Sequence, residues 1–183
     1  ARGPPRRTGG SRNDRNAPGH HRLPKARSGD RVGHCLARLA DFHDPADNDC
    51  LPFNQFTVEE SNHNRRPDIV IFLNGLPVAV FELKNPVQEK ATIWAAWHQV
   101  QTYKKQIPSL FACNEIIAVS DGISARFGSL TAGKDRFQRW RTIEGQELAP
   151  AGLSQLEVLL RGLFARDRLL LYLRHYIVFE EEK

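Results

Sequence analysis

Apolar residues are scarce in the first thirty or so positions of the chain and become frequent from about Leu36. Asp41 to Asp49 (DFHDPADND) reads as a loop leading to a strand at Asn54 to Glu59, where Phe56 and Val58 alternate with polar neighbours. Asp68 to Leu73 and Val78 to Lys84 are β-branched and aromatic runs on either side of Asn74-Gly75, the strongest hairpin signal in the chain. The spacing of Ile93, Trp97, Val100 and Ile107 predicts an amphipathic helix over Ala91 to Ile107, ended by Pro108, because the residue before proline avoids helical geometry. Glu115 to Ser120 and Ala125 to Leu130 read as two further strands around Asp121-Gly122. Ser154 and Glu157 have the spacing of a capping box, predicting a helix over about Gln155 to Phe164, and a leucine-rich helix continues from Asp167 to Tyr176.

This order of strand, hairpin, helix, strands and helices predicts an α/β fold with the hairpin strands in the middle of the sheet, because both their faces are apolar. The 183 residues suit one folded domain. Residues 1 to 34 hold nine Arg or Lys against two acids, about +7, so the net charge of +5 leaves about −2 for the rest. That Arg/Gly/Pro segment buries too little to offset ordering and is expected to be a disordered basic tail. Residues 35–150 are expected to form the core and 151–183 a helical segment. No run reaches the roughly 18 apolar residues of a membrane span, which suggests a soluble cytoplasmic protein. Cys35, Cys50 and Cys113 are odd in number and lack a CxxC pair, so they read as free thiols; a zinc site of Cys35, His43, Cys50 and His63 matches no standard ligand spacing.

Three charges on the apolar hairpin require a reason. Glu82 and Lys84 share a strand face because side chains alternate. Asp68 joins them if the turn is a three-residue loop of Leu73, Asn74 and Gly75, which sets Asp68 opposite Val80. A two-residue loop would set Asp68 opposite Phe81 on the other face, unless a bulge elsewhere restored the match. Two readings are open: a buried ion pair kept for structure, or Asp68 and Glu82 holding a hard divalent cation, with the Leu83 backbone carbonyl in reach and Lys84 handling a water or phosphate charge. Mg2+ suits such a site because it uses few carboxylates and keeps waters and phosphate oxygens as its other ligands.

The sequence Pro67-Asp68 followed by Glu82-Leu83-Lys84 resembles the PD-(D/E)xK nucleases. The segments NHNRRPDIVIFLNGLPVAVFELKNP, HQVQTYKKQIPSLFACNE and SDGISARFGSL together resemble the nuclease domain of the R (HsdR) subunit of type I restriction-modification enzymes, from about Asp41 to Phe179. The resemblance implies a restriction-endonuclease-like core of mixed sheet flanked by helices. It also implies Mg2+-dependent hydrolysis of double-stranded DNA, with Asp68, Glu82 and Lys84 catalytic and Asp68, Glu82 and the Leu83 carbonyl on the metal. Gln99 and Tyr103 match the family's Gln-x-x-x-Tyr helix motif, at a spacing that puts both on one helical face as active-site or DNA-backbone support. Methyltransferase and specificity subunits are the implied partners. ATP would belong to a motor region expected after residue 183, since no GxxxxGK[ST] loop occurs in the chain. The family's upstream helical region with an additional acidic residue has no counterpart in the Arg/Gly/Pro segment. Trp94 and Trp97 are expected to pack the helix, and Lys104, Lys105, Arg126 and Lys134 are candidates for phosphate contact or simple solvation.

Overall fold

A computed structural model describes residues 39–85 and 92–177. The basic tail expected at 1–34, Cys35 and residues 178–183 lie outside them. The described chain forms strands β1 (Cys50–Asn54), β2 (Val58–Glu60), β3 (His63–Arg65), β4 (Ile69–Leu73) and β5 (Leu76–Leu83), then helix α1 (Ile93–Gln106). Strands β6 (Ile116–Ser120) and β7 (Ala125–Ser129) and helices α2 (Gln155–Gly162) and α3 (Arg166–His175) follow. Five strands make one sheet in the order β1-β4-β5-β6-β7, while β2 and β3 pair separately. The sheet is mixed but mostly antiparallel: β5 and β6 alone run parallel, joined through α1.

The strand expected at Asn54–Glu59 is corrected to two pieces. The chain breaks at Gln55, whose φ is 52°, so β1 lies earlier and β2 later than the alternation of Phe56 and Val58 suggests. Strand β1 carries Pro52 and is exposed over four of its five residues, both features of an edge strand that an apolar-pattern search overlooks. Phe53, Phe56 and Phe72 nevertheless meet edge-to-face across this break, with ring centroids 5.1–6.1 Å apart.

The hairpin turn also differs from expectation. Leu73 pairs with Leu76, leaving a two-residue loop of Asn74 and Gly75 with φ of 49° and 85°, the signature of a type I′ turn. Asn74 is further fixed by its side chain, which accepts from Asp49 N–H (2.8 Å) and donates to the Leu39 carbonyl (2.9 Å). The shared face is restored by a register shift one pair further in: Phe72 lies opposite Pro77, but Ile71 lies opposite Ala79 and Ile69 opposite Phe81. Val78 is the extra residue. Continuing this register places Asp68 opposite Glu82 rather than Val80 or Phe81.

The bulge also sorts the core. Val70, Val80, Ile117 and Val119 face α1 and pack with Ala96, Val100, Tyr103 and Ile107. Ile71, Ala79, Phe81, Ala118 and Phe127 face the other way, onto Leu159, Leu163, Leu169 and Leu170 of the C-terminal helical region. The segment after residue 150 thus completes the second layer of the same core. Its entry is capped as expected on one side: Ser154 Oγ accepts from Glu157 N–H (3.1 Å). The Glu157 carboxylate, however, takes Arg161 (3.1 Å). Helix α1 begins at Thr92, whose side chain accepts from Ala95 N–H, and ends before Pro108 as expected.

Phe81 is fully buried next to Glu82 and packs on Phe164 at 4.7 Å between centroids. Phe81→Ala should lower the unfolding free energy by about 3–5 kcal/mol in urea titrations. An unchanged midpoint would contradict its central placement.

Candidate functional site

The site lies where β5 leaves the sheet beside β6, at the carboxyl ends of two parallel strands. That edge is where ligands commonly bind in α/β sheets, since backbone pairing stops there while the strands still hold their side chains in fixed directions. Lys84 N–H donates to the Ser120 carbonyl (2.8 Å), extending the β5–β6 ladder by one residue and fixing the backbone that carries the charges. Across the hairpin, Asp68 Oδ2 accepts from Leu83 N–H at 2.7 Å. Asp68, Glu82 and Lys84 therefore converge on the α1 side of the sheet, as the shared-face reading requires, although through a bulge instead of a longer turn.

Helix α1 completes the constellation. Lys84 Nζ donates to Glu82 Oε1 (2.8 Å) and to Gln99 Oε1 (2.5 Å), and Gln99 Nε2 donates to the Tyr103 hydroxyl (2.5 Å). The i, i+4 spacing on a helix puts Gln99 above Tyr103, so a single amide links the lysine to the phenol. Tyr103 is both packed and bonded: it is 4% exposed and belongs to the apolar cluster under α1. One side chain thus belongs both to the core under α1 and to the hydrogen-bond chain that ends on Lys84.

Glu82 carries the decisive feature. It is 2% exposed, and its Oε2 atom makes no close hydrogen bond among the described residues, although the Tyr103 hydroxyl also bears on the carboxylate as a donor. A buried carboxylate oxygen without a partner is costly, so it marks a place where a ligand atom belongs or a proton is held. Burial raises the Glu82 carboxyl above its usual value; the Lys84 hydrogen bond opposes this, the Asp68 charge adds to it, and the Lys84 charge and the Tyr103 hydroxyl oppose it more weakly. Burial likewise pushes the Tyr103 phenol up to about 12, with the Gln99 bond opposing and the Glu82 charge reinforcing, so this hydroxyl stays protonated as a donor.

The donors suit a hard divalent cation: two carboxylates, one with a free buried oxygen, and the Leu83 carbonyl on the strand between Glu82 and Lys84. No group of three or more His, Cys, Asp or Glu able to hold a metal occurs among the described residues, so such an ion would need backbone, water or substrate oxygens as well. The same result removes support for a zinc site at His43, Cys50 and His63; Cys50 and Cys113 are free thiols.

Two open grooves meet this constellation. One, of about 660 Å3, is lined by Asp68, Leu83 and Lys84 together with Asn54 and Gln55. The other, of about 390 Å3, is lined by Gln99 and Tyr103 with Arg65, Arg66, His98 and Thr102. Asn54 and Gln55 escaped sequence reasoning because the backbone break that brings them there has no clear residue signature. Arg65 and Arg66 had one, since they directly precede Pro67-Asp68. Several expected phosphate contacts are otherwise engaged: Lys104 reaches the Leu130 carbonyl, Lys134 lies over the Trp94 ring at 4.8 Å, and Arg126 donates to Gln155 (2.5 Å). Lys105 is exposed. Trp94 and Trp97 pack against the α1 cluster as expected.

Residues 24–136, more than half the chain, match the family described as Type I restriction enzyme R protein N terminus (HSDR_N). The chain belongs to the HSDR_N family. The HindI type I restriction enzyme endonuclease subunit of Haemophilus influenzae is 39% identical over 150 residues, 80% of this chain and 14% of that protein. A protein of Methanocaldococcus jannaschii, provisionally named type I restriction enzyme MjaIXP endonuclease subunit, is 34% identical over 167 residues, 81% of this chain and 16% of its own length. This HSDR_N chain therefore spans 14–16% of the length of these two relatives. The HSDR_N match contains Asp68, Glu82, Lys84, Gln99 and Tyr103. No helix among the described residues is long and apolar enough to cross a membrane.

Because the folded-state pKa of Glu82 lies above the usual 4.5, the folded protein holds this proton more tightly than the unfolded chain. Its contribution to stability therefore falls as pH rises from the unfolded value through the folded one. In chelator-treated protein, raising the pH from about 4 to about 7 should shift the stability difference between parent and Glu82→Gln against the parent. A pH-independent difference would contradict the burial.

Proposed function

We propose that this chain is the nuclease domain of a type I restriction endonuclease subunit, built on a PD-(D/E)xK core, and that it hydrolyses phosphodiester bonds of double-stranded DNA with Mg2+. The observation that carries the reading is the unpartnered, buried Glu82 Oε2 beside Asp68 and Lys84, in a family whose relatives are named as endonuclease subunits. Asp68 and Glu82 would hold the ion, with the Leu83 carbonyl as a third oxygen. When bound, Mg2+ would polarise a phosphate oxygen and make a coordinated water more acidic.

The protein's own groups have defined tasks beside it. Lys84 has three ammonium hydrogens, two of them given to Glu82 and Gln99. The third is available for a water or a phosphate oxygen, so the amine can orient the nucleophile or meet charge developing on phosphorus. Gln99 and Tyr103 keep the amine from swinging away, acting as positioning residues. Hydrolysis itself is balanced by water: its oxygen bonds to phosphorus, one P–O ester bond breaks, and the departing oxygen takes a proton. Arg65 and Arg66, on the groove next to Gln99, would grip the backbone without reading bases.

Sequence recognition and DNA delivery would fall to other parts: specificity and methyltransferase subunits, and an ATP-driven motor in the same subunit. Affinity for DNA should accordingly depend on salt more than on sequence. The competing reading, in which Glu82 and Lys84 form a structural ion pair, has the 2.8 Å contact in its favour. It leaves the second Glu82 oxygen with no close partner among the described residues beyond the influence of the Tyr103 hydroxyl.

Plasmid nicking by the subunit assembled with its motor and partner subunits separates the two. Asp68→Ala, Glu82→Ala and Lys84→Ala should each reduce cutting by about 10²–10⁴-fold. Gln99→Ala and Tyr103→Phe, which keeps the buried ring, should reduce it by about 10–100-fold while the fold is retained. Cutting at parental rates by the first three would exclude the mechanism and leave the ion pair.

A further inference from the structure

A groove of about 1140 Å3 lies along the edge strand β7 and is not the one that holds the carboxylates. Four arginines line it, Arg126, Arg136, Arg139 and Arg141, together with Trp140, Tyr172 and Tyr176, and among the described residues no Asp or Glu does. Its construction follows from the residues after β7. Phe127 and Gln138 exchange backbone hydrogen bonds (2.9 and 2.8 Å), which lays the 137–142 segment against the strand. Phe137 is buried over Gly128, where a Cβ would lie 2.8 Å from the ring. Trp140 packs over Gly162 of α2, where a Cβ would lie 2.1 Å from its Nε1, and donates that N–H to the Thr142 carbonyl (2.6 Å).

With Phe137 and Trp140 anchored inward, the arginines between and beside them remain exposed. Among the described residues Arg136 has only a neighbouring carboxylate, Asp135 at 3.4 Å, with both side chains 80% exposed, a pairing that contributes little in water. Arg139 and Arg141 make no ion pair and no side-chain hydrogen bond with any described residue. Across the groove, Tyr172 and Tyr176 stack with planes 5° apart and centroids 5.7 Å apart, and Tyr176 is 67% exposed. Unpaired guanidinium forks suit phosphate oxygens, and a stacked tyrosine with an open face suits a base.

We infer that the β7 groove is a binding site for a single-stranded segment of nucleic acid, with Arg136, Arg139 and Arg141 on the phosphates and Tyr176 stacking on an unpaired base. A duplex could use the arginines, but its bases are already stacked on one another and leave the tyrosine without a partner. An acidic peptide would likewise satisfy the guanidinium groups and not the ring. The site goes beyond the nuclease reading, shares no residue with it, and is assayed in chelator, where no cutting occurs. Its failure would therefore leave that reading untouched.

Fluorescence anisotropy of the 183-residue chain with a labelled oligothymidylate tests the site. The triple variant Arg136→Ala, Arg139→Ala, Arg141→Ala should bind at least about tenfold more weakly, with the slope of log affinity against log salt smaller by about 2. Tyr176→Ala should weaken binding by about 5–100-fold and Tyr176→Phe should retain it, because stacking needs the ring and not the hydroxyl. A duplex of equal length should bind more weakly and ignore Tyr176→Ala. Replacing the three arginines by lysine should keep most of the affinity, and all variants should keep the parental circular dichroism, since these positions are exposed. Parental affinity in either alanine variant, tighter binding of the duplex, or displacement of the oligonucleotide by an equimolar acidic peptide would overturn the assignment.

Discussion

One extra residue in β5 decides which side of the sheet receives the charges. Without Val78 out of register, the alternation that starts at Leu73 and Leu76 would carry Phe81 toward α1 and Glu82 toward α2 and α3. Asp68 would then face a phenyl ring, and a carboxylate would enter the apolar layer formed by Leu159, Leu163 and Leu169. With the bulge, Phe81 enters that layer and Glu82 turns to Asp68, Lys84 and α1. Core and candidate site thus depend on the same local irregularity. Bulges bend and twist a strand at some cost in ladder bonds, and their concentration near functional sites follows from this ability to re-aim side chains.

The electrostatics of the site follow from that placement. Glu82 is shut away from water, and one ammonium on one of its oxygens only partly offsets the loss of hydration. Lys84 is in turn held by Gln99, and Gln99 by Tyr103, so the cost of burial is spread through a chain of hydrogen bonds anchored in the α1 core. Such a chain keeps the amine in place while leaving one carboxylate oxygen open. A network built for stability alone would be expected to close that oxygen, because a buried polar atom without a partner is destabilising. An oxygen that Lys84 does not close, set beside Asp68 at the end of two parallel strands, favours a receptive site over a structural ion pair.

Much of this was legible in the residues. Asn74-Gly75 announced the hairpin, the 93–107 spacing announced α1 with its proline stop, and Glu82-x-Lys84 had to share a face whatever the turn. The position of Asp68 was readable only as a condition, because a strand register is set by bulges that leave no residue-type mark: Val78 is as good a strand residue as Val80. The break at Gln55 escaped for a similar reason, since a positive φ at glutamine is imposed by its surroundings rather than favoured by its side chain. Edge strand β1 was missed because it is short, exposed and contains proline. The arginines of the 136–141 segment stand close together in the sequence, but their common groove depends on Phe137 and Trp140 finding glycines in distant elements, Gly128 and Gly162.

The most direct test of the central claim is an anomalous difference map from crystals of the chain soaked in Mn2+. The account requires a peak bonded to Asp68, to Glu82 Oε2 and to the Leu83 carbonyl, with Lys84 still on Gln99. A map without a peak there, or one with Glu82 closed on Lys84 through both oxygens, would contradict it.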